Sequence, residues 1–232
     1  MKTVILCGGK GARMSALTEK IPKPLVQIGG RPALWHIMKI YSTQGFTDFI
    51  LCLGYKGEEI RKYFQKNNSE NWDIEFVETG LDTSKSRRIQ KIRHLVGKEN
   101  FFLAYGDDLS NIDLKKLFEL HEKNKKIATI TAVKIESPFG VLETNERNEI
   151  VRFREKPVLN YWMNGGFMAL SQKIFGYLKF GELEKEVFEK LVEKSQIQAF
   201  KHKGEWKTMN TLKDNQELNE LWEKGMAFWK IW

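Results

Sequence analysis

Cysteine is nearly absent from this chain, with Cys7 and Cys52 the only two in 232 residues. That is too few for a disulfide framework, and both lie in apolar stretches, so two buried thiols in a reducing cytoplasm are expected. Proline is scarce at five, and no stretch is proline-rich, repetitive or of low complexity, which leaves no linker to divide the chain. Long hydrophobic runs are missing too. Segments such as 49–53 fall far short of the roughly 20 residues needed to cross a bilayer. The start Met1-Lys2-Thr3-Val4-Ile5-Leu6 runs into a glycine turn rather than a cleavage site, so neither a membrane-spanning nor a secreted protein is expected.

Core-forming residues, by contrast, are plentiful. Hydrophobic residues make up 41%, with seven Trp and fifteen Phe, and the charged fraction of 29% is that of an ordinary soluble surface, which excludes wholesale disorder. The net charge of +8 is compatible with a nucleic acid, an acidic membrane surface or a small anionic substrate. Charge alone does not choose among them, although no recognised nucleic-acid motif accompanies it, and no nucleic acid and no membrane are expected as partners. Lysines such as Lys115-Lys116 and 123–126 read as solvated helix faces. The denser set Lys85, Arg87, Arg88, Lys91 and Arg93 follows a strand pattern.

Strand and helix signals alternate along the chain. Residues 3–7 form an apolar β-rich run, Gly8-Gly9-Lys10-Gly11 breaks it, and a helical pattern spans 32–41 until Gly45. Strands at 49–53, 74–77, 101–105 and 128–133 alternate with helices at 58–65, 86–96 and 114–124. Continuously apolar strands separated by helices predict a doubly wound, mostly parallel, Rossmann-like α/β sheet covered on both faces, within a single domain over 1–232. Shorter strands at 140–142 and 150–153 are expected to make a small antiparallel edge around the substrate cleft. A strand at 166–170, helices at 172–177 and 183–193, a strand at 198–202 and a helix at 212–224 complete the pattern. The tail with Trp222, Phe228, Trp229 and Trp232 is too aromatic for a free end: it either docks on the core or meets another subunit, and docking is the favoured expectation.

Several residues carry candidate chemistry. Glycines Gly8, Gly9 and Gly11 directly after the first strand let backbone N–H groups approach an anion, with Arg13 as a cation at the end of the loop. A tight strand-to-loop turn would use the same residues. The spacing is neither the dinucleotide fingerprint nor a P-loop, since no Gly-Lys-Ser/Thr follows. Pro22-Lys23-Pro24 holds a lysine in what reads as a stiff extended segment, suited to stabilising a charged transition state. Asp107 falls just beyond a strand, at the mouth of the sheet. His36 and His94 sit in helical patterns and read as packing or surface residues.

The set Gly-Gly-x-Gly-x-Arg, Pro-Lys-Pro and Ile28-Gly29-Gly30-Arg31-Pro32 resembles the sugar-phosphate nucleotidyltransferases. Further stretches, namely Gly54-Tyr55-Lys56-Gly57, Tyr105-Gly106-Asp107, Glu155-Lys156-Pro157, Asn164-Gly165-Gly166-Phe167 and Leu221-Trp222-Glu223-Lys224-Gly225, are similar to the glucose-1-phosphate cytidylyltransferases of that family. The resemblance implies a GT-A-like nucleotidyltransferase fold, CTP and a phosphorylated acceptor such as glucose 1-phosphate as substrates, Mg²⁺ as cofactor, and a homo-oligomer. It also implies that Gly8, Gly9, Gly11, Arg13, Lys23 and Arg88 bind the nucleotide, with Arg13 and Lys23 catalytic. Asp107 and Asn210 would be metal ligands, and Glu155, Lys156 and Asn164 would face the acceptor. Four departures stand out. About twenty residues are missing after Phe64; Ser86-Arg87 replaces a glycine pair beside the base; Asp108 replaces a glycine; and Asn210 replaces a metal-binding aspartate. They leave room for another base, another acceptor, or a nucleotide-binding relative with impaired catalysis.

Overall fold

β-Branched and aromatic residues place seven strands in one sheet: β1 (Lys2–Leu6), β2 (Asp48–Leu53), β3 (Asp73–Glu78), β4 (Phe101–Tyr105), β5 (Ala128–Val133), β6 (Met163–Leu170) and β7 (Ile197–Lys201). The computed structural model covers Met1–Trp232 and describes all of it except the side chains of Arg13, Ser15, Ala16 and Phe180. The sheet order is β7-β5-β6-β4-β1-β2-β3. All neighbours are parallel except β6, which runs antiparallel to β4 and β5. That reversal follows from the chain path. After Val133 the chain leaves as a hairpin arm and returns at the same edge, where Met163 pairs with Val133, so the returning strand must run back. The expected mostly parallel α/β sheet is what the chain forms.

Period-two alternation sends the side chains of each strand into two cores. Ile5, Leu51, Phe102 and Phe167 pack on one face with helices Ala33–Thr43, Gly57–Asn67, Leu114–Asn124 and Leu212–Glu223. Val4, Ile50, Leu103 and Met168 pack on the other with Lys85–Lys91 and the segment from Gln172 to Glu193. Each large side chain buried this way contributes roughly 1.5–3 kcal/mol. The aromatic tail docks as expected, with Trp229 fully buried and Trp222 and Trp232 against the first core. Cys7 and Cys52 are free and buried, and burial pushes the Cys52 thiol up to about 12.

Four local expectations are corrected. Lys23 does not lie in an extended segment: Lys23–Leu25 is a 3-10 turn closed by Leu25 N–H to Pro22 O and Val26 N–H to Lys23 O, with Pro24 supplying the fixed φ such a turn accepts. The helix expected over 86–96 is two pieces, Lys85–Lys91 and Arg93–Val96, meeting at Ile92. The segment Gln172–Gly176 is a 3-10 helix. The following helix opens with a π turn over Leu183–Val187, because the Glu182 carbonyl accepts from both Glu186 and Val187 N–H.

The arm after β5 pairs Val141–Thr144 with Ile150–Arg154 in a separate antiparallel hairpin, as expected. Among the described residues, most of the large apolar side chains left exposed lie on it, including Phe139, Ile150, Val151, Phe153 and Tyr161.

Candidate active site

A cleft of about 1580 Å³ opens at the carboxyl ends of β1 and β4, the position where open α/β sheets bind ligands. Lys23, Asp107 and Asn210 meet on its floor. The Lys23 Nζ donates to Asp107 Oδ2 at 2.5 Å and to Asn210 Oδ1 at 3.0 Å. Three elements bring them together: the proline-bounded turn, the tight connection after β4, and a two-stranded ladder pairing Trp206–Thr208 with Asp108–Ser110. Met209 N–H donates to the Asp107 carbonyl at 2.8 Å, which sets residue 210 beside residue 107. Asn210 is fixed further by its own N–H to Asp214 Oδ2, next to the capping box that starts Leu212–Glu223. Among the described residues no cluster of three or more His, Cys, Asp or Glu side chains could hold a metal. Yet the oxygens of Asp107 and Asn210 already converge on one cation, the lysine ammonium. Hard oxygen donors of this kind suit Mg²⁺, which is usually held by one or two carboxylates together with substrate phosphates.

The three loop glycines have different reasons to be glycine. A Cβ on Gly8 would lie 2.1 Å from Arg88 Nη1, whereas one on Gly9 meets nothing within 4 Å. Gly11 has φ +65° and its Cβ would press on Thr18 and Lys23. Gly8 thus serves the packing of Arg88, and the stretch Gly9–Gly11 lines the open cleft. Arg88 itself is buried, and its guanidinium donates to the carbonyls of Leu53, Gly8 and Leu81 and to Thr79 Oγ1. It borders the cleft, but these hydrogen bonds all go to the chain. The side chain of Arg13 lies outside the described residues.

Of the expected acceptor residues, Asn164 lines the cleft, and its Oδ1 accepts from Gly166 N–H at 3.0 Å. Glu155 and Lys156 are not brought to the cleft lining. They sit exposed at the end of the arm, with Lys156 at φ +45°. Asp108 is buried, and burial and then the neighbouring Asp107 push its carboxyl well above the usual carboxylate range. Its Oδ2 would lie 1.9 Å from a Cβ on Gly166, whose φ is +78°, so Asp108 leaves room only for glycine at 166. Sequence reasoning missed one group here. Tyr105, Lys85 and Glu184 form a contact across the cleft in which Tyr105 Oη donates to Glu184 Oε1 at 2.5 Å and Lys85 ion-pairs with the same carboxylate. Lys85 was visible as part of a basic cluster, whereas Glu184 sits in an ordinary amphipathic pattern with nothing to single it out.

The nucleotidyl transferase family model matches residues 2–225. A Bacillus subtilis (strain 168) protein named "Probable glucose-1-phosphate cytidylyltransferase" is 43% identical over 255 positions, covering 100% of both chains. A glucose-1-phosphate cytidylyltransferase of Salmonella typhi is 37% identical over 257 positions, again covering 100% of both. Alignments longer than the 232 residues of this chain mean that these relatives carry additional residues. Among solved structures, HddC from Yersinia pseudotuberculosis superposes with a TM-score of 0.75 at 24% identity, over 95% of this chain and 99% of that one.

Proposed function

This chain belongs to the nucleotidyl transferase family, and from that premise we propose that it joins CTP to a sugar 1-phosphate, glucose 1-phosphate or a close analogue, giving a CDP-sugar and pyrophosphate. The observation that carries the reading is the meeting of Lys23, Asp107 and Asn210 on the floor of the cleft beside the Gly9–Gly11 loop. Two full-length relatives named as glucose-1-phosphate cytidylyltransferases supply the substrates.

In this reading an oxygen of the acceptor phosphate attacks the α-phosphorus of CTP, the bond to the β-phosphate oxygen breaks, and that oxygen leaves with pyrophosphate. The nucleophile is already an anion, so the chain needs no general base. Its work is positioning and charge stabilisation. Backbone N–H groups of Gly9 and Gly11 cradle the triphosphate, and Lys23 and Arg13 neutralise oxygens whose charge grows in the transition state. Asp107 and Asn210 would hold Mg²⁺, which supplies positive charge against the phosphates. Arg88 acts through Gly8, whose carbonyl it holds at 3.1 Å. Asn164 faces the acceptor, and this reading has the acceptor extend from there toward the arm that carries Glu155 and Lys156 outside the cleft lining.

Pyrophosphate release, measured with CTP, UTP, dTTP and GTP against a panel of sugar 1-phosphates in the presence of Mg²⁺, tests the proposal. CTP with a hexose 1-phosphate is expected to turn over fastest; faster turnover with another nucleotide for every acceptor refutes it. The reading also includes a cytoplasmic location and a homo-oligomer, the latter supported by the arm. A lone two-stranded hairpin is marginal in water, and residues 135–163 carry five acidic and four basic side chains, a balance that lets identical copies meet without the repulsion of a +8 chain. Light scattering of the parent and of Phe153→Asp reads it out, and a monomeric parent would exclude it.

A further inference from the structure

Lys23 touches both the metal-ligand oxygens and the phosphate loop. Its Nζ donates to Asp107 Oδ2 at 2.5 Å and to Asn210 Oδ1 at 3.0 Å. The pair is largely withdrawn from water, with the lysine side chain 12% and the aspartate side chain 22% exposed. Its stem lies against the glycine loop, since a Cβ on Gly11 would come within 3.1 Å of Lys23 Cβ. The turn Lys23–Leu25 fixes the backbone, so the ammonium moves only by rotation of its own side chain. An anion on the Gly9–Gly11 loop and the oxygens of Asp107 and Asn210 are thus alternative partners of one cation.

One ammonium against one carboxylate and one amide leaves no net charge. Two nearby carboxylates are engaged elsewhere: Asp214 accepts from the N–H groups of Asn210 and Thr211, and Asp108 lies against Gly166. A dication arriving alone at Asp107 and Asn210 must either expel the ammonium or sit beside it. Expulsion strips a partly buried cation of its only carboxylate, and cohabitation brings like charges together; both are costly. A triphosphate on the loop removes that cost, because it offers the ammonium anionic oxygens in exchange and brings the metal further ligands of its own. Resting on the nucleotide reading above, we propose that Lys23 is the place-holder of the metal site: in the chain alone its ammonium occupies the oxygens of Asp107 and Asn210, and a bound triphosphate draws it off and admits Mg²⁺. Asn210 makes the balance complete, since a second carboxylate there would leave one negative charge to hold a dication without nucleotide. Metal and nucleotide then bind cooperatively, each raising the affinity for the other.

The test uses Mn²⁺ as probe, with free ion counted by electron paramagnetic resonance and with neither nucleotide nor turnover. The parent chain is expected to bind it only in the millimolar range. Lys23→Met, which removes the ammonium and keeps the stem, should bind it about tenfold tighter or more, within the usual range of coupling between two ligands. Lys23→Arg keeps a cation and should stay close to the parent. Adding Asp107→Asn to Lys23→Met should abolish the gain. No gain in Lys23→Met, a gain that survives Asp107→Asn, or a parent that binds Mn²⁺ at micromolar concentration overturns the inference. A second measurement needs only the parent to be folded under study. The nitrogen resonance of the Lys23 ammonium, identified by its loss in Lys23→Arg, should stay in place with millimolar Mg²⁺ alone and shift once CTP is added; a shift with Mg²⁺ alone overturns the inference. A chain that passes both tests yet releases no pyrophosphate with any nucleotide refutes the transferase reading instead and leaves the role of Lys23 standing.

Discussion

Acidification should destabilise this protein through one side chain far from the cleft. His36, on helix Ala33–Thr43, is fully buried among Trp35, Trp222, Trp229 and Trp232. Trp229 Nε1 donates to its Nδ1 at 3.3 Å, so Nδ1 accepts and the proton resides on Nε2, which donates to the Ile28 carbonyl at 2.8 Å. The neutral ring satisfies both partners; the imidazolium would face an indole N–H with a second donor. Burial, with a smaller push from Arg31, lowers the His36 pKa from 6.5 to about 4, against the Ile28 carbonyl, which favours the charged form. Because the folded pKa lies below the unfolded one, the unfolded chain takes up the proton first as pH falls. Stability is therefore full above pH 6.5, declines between 6.5 and 4, and stops declining on this account below 4. Over that window the loss is about 3 kcal/mol, a large share of the roughly 5–15 kcal/mol that holds a domain folded. His121 and His202 are also lowered by burial and act in the same direction, so the parent curve alone does not isolate His36. Urea unfolding followed by tryptophan fluorescence at pH 7.5 and 4.5, on the parent and on His36→Gln, does. Gln keeps a donor for Ile28 and cannot titrate, so the variant should be less stable at pH 7.5 but lose about 2–3 kcal/mol less on acidification. Equal losses in both proteins would refute the assignment.

Lys23→Ala should lower kcat about a hundredfold or more with a smaller change in apparent CTP affinity, by analogy with loss of one transition-state donor; near-normal turnover excludes that role. Lys156→Ala should raise the acceptor KM and leave CTP binding close to unchanged, as steady-state kinetics with each substrate varied will show. Asn210→Asp should tighten the Mg²⁺ requirement and raise activity, because a second carboxylate beside Asp107 adds charge where an amide adds none; a Mg²⁺ titration of pyrophosphate release reads this. Gly8→Ala forces a methyl into the Arg88 guanidinium, 2.1 Å away, and should cost about 1–3 kcal/mol of stability by overpacking. Denaturant unfolding checks it, and an unaffected midpoint would mean that Arg88 moves aside freely.

Much of the sheet was legible because its strands must be apolar on both faces. Strands 101–105 and 128–133 and the helix 114–124 match the structure end to end. What escaped were conformations set by one or two hydrogen bonds. Nothing in the residues 183–187 announces that two N–H groups will share the Glu182 carbonyl. The proline-flanked Lys23 looks extended in sequence because each proline favours that state in its predecessor, whereas the closing bonds to Pro22 and Lys23 carbonyls bend it into a turn.

The site divides along the same line. Asp107 and Asn210 lie 84 and 187 residues from Lys23, and no periodicity brings the three together; only the whole-chain resemblance does. The same resemblance makes Arg88 a nucleotide contact, yet its guanidinium is spent on carbonyls at the ends of β1 and β2 and on residues just past β3. Both outcomes have one physical origin. In the proposed reading a side chain that must stay available for a ligand keeps partners that a ligand can replace, as Lys23 keeps a carboxylate and an amide at the cleft floor. A side chain that shapes the site buries its hydrogen bonds in the backbone, where replacement would leave carbonyls unpaired. The residue type is the same kind of cation in each case, so a sequence cannot tell them apart.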